Sequence, residues 1–244
     1  MSLFGVPLPA LVGLGALIVV SAGLHRLGGQ GFGTVVAPFM ALLAPEHMPA
    51  TVLMLGMIVT ALGAGFEIKA IRPAELGVAA FGRLAGTVPA VLLVGAVAGA
   101  PALDVAVALI VLLAVGLSLA GFSVAKTKAT LLIAGALSGF MGTLTSVGAA
   151  PMGLVYQSEA ARAARGTLNA YFLLGVIFSV GGLALAGQVR ETHLALAACL
   201  APLVILGFRL AAPLARRTET APLRPVALGI AAVGAVALIA RGLT

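Results

Sequence analysis

The stretch Leu8–Leu43, LPALVGLGALIVVSAGLHRLGGQGFGTVVAPFMALL, decides how the chain folds. It is apolar apart from His25, Arg26 and the glycine cluster Gly28-Gly29-Gln30-Gly31-Phe32-Gly33. A straight helix of this length would run about 54 Å, against about 30 Å of bilayer hydrocarbon. The segment therefore breaks. Glycines around a single Gln weaken the helix there and leave backbone groups that protein, water or a ligand must satisfy.

The rest of the 244 residues fits a membrane setting. With 61% apolar residues, 9% charged and a mean hydropathy of +1.21, the chain is no ordinary soluble domain. Uncharged runs at Leu84–Leu103, Val105–Ala125, Ala129–Ser158, Gly166–Val189 and Pro225–Ala240 are each at or near spanning length. They are continuously apolar, whereas barrel strands alternate apolar with polar, so the spans are helical. Little is left for an aqueous domain, and residues 1–244 are expected to form a single transmembrane domain.

The formal charge of +7 would suit nucleic-acid binding in a soluble chain. Here it reads as a topology signal on cytoplasmic loops, and no nucleic-acid partner is expected. Cys199 stands alone, which excludes an intrachain disulfide, a Cys-x-x-Cys pair and a thiolate metal cluster. It is expected to pack as a small apolar residue. Met1 to Val20 lacks the basic start and cleavage site of a secretory signal and is expected to stay as the first membrane segment.

Beyond the polar turn Pro45-Glu46-His47, a helix is expected from about Pro49 to Phe66, then a charged loop Glu67–Glu75. A helix from about Leu76 to Gly99 contains Arg83 and Pro89. The turn Ala100–Asp104 leads to a helix ending near Phe122, and Lys126 and Lys128 close the first half. The second half repeats the order: an apolar segment Leu131–Gln157 broken at Thr143–Ala150, a charged loop with Glu159, Arg162 and Arg165, and helices near Thr167–Ala186 and His193–Ala212. A basic loop with Arg216, Arg217 and Arg224 then precedes a last helix to Ala240. The halves match locally, Gly33-x-x-x-x-Pro38 with Ser146-x-x-x-x-Pro151, Ala50-Thr51 with Gly166-Thr167, Gly65 with Gly181 and Glu75 with Glu191. This reads as a duplication, with repeats over 8–122 and 129–240.

The basic residues discriminate between two topologies. If both broken segments cross the membrane, eight spans put Lys69, Arg72, Lys126, Lys128, Arg190 and Arg241 opposite Arg162, Arg165, Arg216, Arg217 and Arg224, which orients nothing. If both are re-entrant hairpins, Lys69, Arg72, Lys126, Lys128, Arg162, Arg165, Arg216, Arg217 and Arg224 share one face, and only Arg190 and Arg241 oppose them. That is a strong cytoplasmic bias. The expected fold is thus an all-α membrane protein of two inverted repeats. Each is a broken, re-entrant helical hairpin plus three transmembrane helices, eight hydrophobic segments in all.

This ordered set resembles the sulfite exporter TauE/SafE family, also called the toluene-sulfonate uptake permeases. The likeness covers roughly Gly13 to Arg217: two similar halves, a glycine-rich break followed by an apolar stretch with proline, and the Gly-Thr opening the next helix, here Ala50-Thr51 and Gly166-Thr167. Gln30 and Phe32 interrupt the usual glycine run, and Thr145-Ser146-Val147-Gly148 replaces it in the second half. The resemblance implies a multi-pass permease or exporter of sulfite, organosulfonates or related organosulfur anions in the cytoplasmic (inner) membrane. Another small anion or solute as cargo, and a non-transporting assembly subunit, stay open as alternatives, as does a homo-oligomer in the lipid.

Candidate binding residues gather at the breaks. Second arms near Thr34–Leu43 and Ala149–Gln157 would aim their N-terminal N–H groups at mid-membrane, an arrangement suited to an anion. Gly29, Gly31 and Gly148 would let the backbone approach, and Gln30, Thr143, Thr145 and Ser146 would add neutral donors. The structural alternative is that the hydroxyls bond their own helices and the glycines serve packing. Arg83 is the sharper signal, being about two turns inside a helix with no acidic residue deep in any span. It either attracts an anion, or pairs with Glu75 or Glu67, or snorkels to the cytoplasmic face. His25 and Arg26 precede the first tip and either add positive charge or satisfy freed carbonyls. Asn169 and Tyr171 either line the path or bond between helices.

The pairs Gly82/Gly86, Gly95/Gly99 and Gly135/Gly139 fit close helix packing. No zinc helix, nucleophile elbow, intramembrane carboxylate pair or nucleotide motif is present, so no enzyme activity and no cofactor or metal is expected, and gradients would drive transport. His25 is the only titratable residue at the tips with an ordinary pKa near neutrality.

Overall fold

The computed structural model describes residues 2–97, 101–119, 124–159, 161–217 and 224–242. The expected ends near Gly99 and Phe122, and the start of the turn at Ala100, lie outside them. A two-residue hairpin, β1 (Ser2–Leu3) and β2 (Val6–Pro7), precedes α1 (Leu8–Gly28) and α2 (Phe32–Leu43). A short 3₁₀ turn, Pro45–His47, leads to α3 (Ala50–Phe66), and a second, Ile68–Ala70, to α4 (Pro73–Val97). Then come α5 (Pro101–Leu119), α6 (Lys128–Thr145), α7 (Ala149–Val155), α8 (Ala161–Leu185), α9 (Glu191–Leu210), α10 (Ala212–Arg217) and α11 (Arg224–Gly242).

The chain is an all-α membrane protein. Among the described residues five helices, α1, α4, α6, α8 and α9, are long and apolar enough to cross a bilayer. Large apolar side chains such as Phe81, Leu92 and Leu185 face outward, as a lipid-facing surface requires. Cys199 also faces outward from α9 rather than packing inside, a correction that follows from the helix presenting two neighbouring positions, Ala198 and Cys199, away from α1.

Both expected breaks occur. α1 ends where Gly29 turns left-handed (φ 73°), and α6 ends where Ser146 does the same (φ 64°). In each, one residue and then a glycine, Gly31 or Gly148, precede the next helix. The second break is narrower than Thr143–Ala150, because Thr143 and Thr145 belong to α6. Two other boundaries move. α8 begins at Ala161, so Arg162 and Arg165 lie in a helix rather than a loop, and Pro101, a good first helical residue, opens α5 where a turn was expected.

Glycine sets the closest packing. A Cβ on Gly82 or Gly86 of α4 would strike the Leu132 or Ala136 carbonyl oxygen of α6, and one on Gly135 or Gly139 would strike the Ala79 or Arg83 carbonyl of α4. The two backbones therefore touch, as the pairs Gly82/Gly86 and Gly135/Gly139 predicted, whereas Gly95 is exposed and Gly99 lies outside the described residues. α1 and α9 meet in the same manner, with Gly207 against the Val19 carbonyl. Around these pairs, α3 packs on α8 and α9, α8 also on α4, and α11 on α2 and α5.

Candidate functional site

Arg83 lies in the middle of the α4–α6 contact and is 2% exposed. Its Nη1 donates to the Ser138 carbonyl at 2.9 Å and to Ser138 Oγ at 2.7 Å. Ser138 Oγ in turn donates to the Gly148 carbonyl at 2.5 Å, tying the arginine to the second break. Room for the guanidinium comes from missing side chains: a Cβ on Gly142, Gly148 or Gly175 would contact it. Its carbon lies 5.7 Å from the centre of the Tyr171 ring. Nε has no hydrogen-bond partner among the described residues, and no described carboxylate pairs with the group.

The acidic residues that sequence offered as partners are engaged elsewhere. Glu75 accepts from Lys126 Nζ at 2.8 Å and from Tyr156 Oη at 2.7 Å, and it meets Arg72 at 3.3 Å. Glu159 accepts from Lys126 at 2.6 Å and Arg72 at 2.8 Å, completing a cluster that joins the start of α4 to the segment after α7. The Lys126 hydrogen bond, with Arg72 adding to it against the effect of burial, holds the Glu159 carboxyl below its ordinary range. Burial works against the Lys126 charge, but its bonds to Glu159 and Glu75 prevail and its pKa is raised. Glu67 pairs with Arg165 Nε at 3.0 Å. At the far end of the molecule, His47 Nε2 meets the Phe4 carbonyl and His193 Nε2 the Glu46 carbonyl, each at 2.9 Å.

The two breaks come together. A Cβ on Gly33, just inside α2, would fall on the Ser146 carbonyl oxygen. Between them is a cavity of about 60 Å³ lined by Arg83, His25, Gly31, Thr34, Ser146 and Gly148 among others. A second cavity of about 120 Å³, with Gln30 and Gly153 in its wall, shares Gly31, Thr34 and Ala149 with the first. Gln30 Oε1 is buried without a partner among the described residues.

The other expected residues are placed as follows. His25 Nε2 is 2.9 Å from Asn169 Oδ1, and Asn169 Nδ2 donates to the Arg165 carbonyl at 2.8 Å, so Asn169 bonds between helices. Arg26 stacks on Phe66 and Phe208 at 4.4 and 4.8 Å and does not line the central cavity. Gly29 sits against the Arg165 side chain. Thr143 bonds Ser179 at 2.7 Å and Thr87 at 3.3 Å, Thr145 bonds back to the Met141 carbonyl, and Ser146 Oγ donates to the Pro49 carbonyl at 3.2 Å. Tyr171 is fully buried, its hydroxyl 3.3 Å from the Gly135 carbonyl.

Ser138, Gly142, Gly175 and Thr34 belong to this neighbourhood, and the sequence reading did not single them out. Ser138 had a signal, standing beside Gly139 in the packing stripe. Gly175 had little, as one more glycine in an apolar helix.

No curated protein and no solved structure matches the chain. Over residues 10–238 it matches the family model described as Sulfite exporter TauE/SafE.

Proposed function

Because the chain belongs to the sulfite exporter TauE/SafE family, a family of membrane transporters for sulfur anions, we propose that it is a secondary transporter of sulfite or small organosulfonates, with the anion held at Arg83 between the two hairpin tips. The observation that carries this reading is Arg83 itself. A buried cation without a carboxylate is costly, and an arriving anion supplies the missing charge. The guanidinium suits trigonal and tetrahedral oxyanions, and its Nε–H awaits an acceptor. Gly31, Gly148, Thr34 and Ser146 surround the same cavity with backbone and hydroxyl groups. Gln30, Gly29, His25, Arg26, Thr143, Thr145, Asn169 and Tyr171 stand around it as supports or second contacts.

The packing favours two repeats that exchange with one another, and a re-entrant hairpin plus three spans in each would invert the second. Exchanging α1, α2, α3, α4 and α5 for α6, α7, α8, α9 and α11 turns the α4–α6 pair into α9–α1, α4–α8 into α9–α3 and α2–α11 into α7–α5, all of which are in contact. The hairpins read as re-entrant. Lys126 before α6 meets Glu159 after α7, while Phe4 before α1 meets His47 after α2. Cysteines placed at Lys126 and Arg162 should both react from the cytoplasmic face alone, and labelling from opposite faces excludes this topology.

The direct test is flux. Purified protein in liposomes should move sulfite or a short alkanesulfonate, and Arg83→Gln, which keeps a polar hydrogen-bonding end and removes the charge, should weaken binding about 10- to 100-fold, as loss of a charged hydrogen bond implies. Carboxylate flux in preference to sulfur anions would reassign the cargo. Unchanged binding in the variant would remove Arg83 from the site, and absence of any flux would favour an assembly subunit.

A further inference from the structure

The hydrogen bonds around His25 fix its chemistry. Asn169 Nδ2 donates to the Arg165 carbonyl, which can only accept, so the orientation of this amide is settled and its Oδ1 faces His25. A carbonyl oxygen only accepts. Neutral His25 therefore carries its hydrogen on Nε2 and leaves Nδ1 as a bare basic nitrogen. That atom is buried and has no partner among the described residues, in a side chain 3% exposed. His25 also lines the cavity that holds Arg83, and it is the one imidazole there.

We propose that His25 Nδ1 is a proton site coupled to the anion site, so that each anion entering the cavity brings one proton onto Nδ1 and each anion leaving releases it. The proposal rests on the reading that the anion binds at Arg83. With the cavity empty, the arginine charge opposes a second positive charge on the imidazole. A bound anion cancels that field and gives the new Nδ1–H an acceptor. The Nε2–H bond to Asn169 is the same in both states, so only one nitrogen changes. Reciprocity then requires that protons strengthen anion binding by the factor that anions strengthen proton binding.

The charged groups around His25 permit this. On its own helix Arg26 is stacked on two aromatic rings. Across from it, Arg165 of α8 is paired with Glu67 at the end of α3. α4 contributes Arg83. α2 carries no ionisable residue, α9 holds Glu191, His193 and Arg209 at its ends, and the sequence of α10 and α11 adds only Arg216, Arg217, Arg224 and Arg241. The carboxylate nearest to taking the proton, Glu67, is already held by Arg165.

Calorimetric titration with ethanesulfonate tests this, since that anion carries no proton of its own near neutrality. The full-length protein in detergent is titrated in Bis-Tris, imidazole and Tris, which lack sulfonate groups, and the dependence of the heat on buffer ionisation gives the protons taken up. Wild type should take up about one proton per anion, and its Kd should weaken up to about tenfold per pH unit above neutrality. His25→Gln, whose amide can still donate to Asn169, should bind ethanesulfonate with no proton uptake and a flat pH profile. Binding by wild type without proton uptake, or the same uptake in a folded His25→Gln, overturns the proposal while leaving Arg83 as the anion site. If wild type binds no ethanesulfonate, sulfite or other small anion, both readings fall together.

Discussion

The two hairpin tips share a frame and differ in what fills it. Gly29-Gln30-Gly31 and Ser146-Val147-Gly148 each set a left-handed residue, a middle residue and a helix-opening glycine in that order. At the first tip the helix-opening glycine serves backbone conformation: Gly31 has φ 104° with nothing near its missing Cβ. At the second, Gly148 has an ordinary φ of −117°, and what it provides is space beside Arg83 and Ser138. The middle residues differ likewise, Gln30 having an unsatisfied oxygen and Val147 being wholly buried. Similar backbone courses thus serve two tasks, one tip shaping a cavity wall and the other holding the cation.

Exchanging the middle residues should break the likeness most visibly. Val147→Gln buries an amide with no partner in a filled site and should cost about 3 kcal/mol. Gln30→Val should change stability by under about 1 kcal/mol in chemical or thermal unfolding, because it removes a group that has little to lose. Next, Gly148→Ala should cost about 1–3 kcal/mol and also weaken anion binding, since the new methyl displaces the guanidinium. Gly31→Ala should cost about 1–2 kcal/mol from its left-handed backbone alone and weaken binding less than Gly148→Ala, because its methyl would meet no neighbour. Equal binding losses in the two alanine variants would mean that the tips are interchangeable after all.

Two further substitutions separate the left-handed positions. Gly29→Ser should destabilise by about 2 kcal/mol, because Arg165 occupies the space a side chain needs. Ser146→Gly trades relief of a positive φ against the hydrogen bond to Pro49 and should lie within about 1 kcal/mol of wild type. The smallest effect expected is on acidification. The depressed Glu159 carboxyl contributes stability that is complete above its ordinary value of 4.5 and fades as pH falls through the lower folded value. Glu159→Gln should flatten the part of the melting-temperature curve below that pH, and an unchanged slope would show that the cluster does not join the halves.

How much was legible from sequence depended on how rare each signal is in an apolar chain. The first break was legible because four glycines in six residues weaken a helix, although Gly28, Phe32 and Gly33 still belong to the flanking helices. The second was located only to within Thr143–Ala150, because a serine in a left-handed turn leaves no mark in composition. For the same reason the sequence matched Ser146 with Gly33. By backbone conformation its counterpart is Gly29, and Gly33 is the residue it touches. Arg83 was legible because a cation inside a span needs a reason to be there. Its holder, Ser138, was legible only as a small residue beside Gly139, since serines in membrane helices usually bond their own backbone and nothing in the sequence says which way this one turns.

The glycine contact between α4 and α6 also limits how the protein can move. Each carbonyl fits where a neighbour's side chain is absent, so the helices cannot slide along one another without first lifting apart. Sliding by fractions of a turn is blocked, and Arg83, latched to Ser138, travels with both helices as one beam. α1 and α9 form a second beam of the same kind. Relative movement of the two beams, rather than sliding within either, is what this packing leaves open.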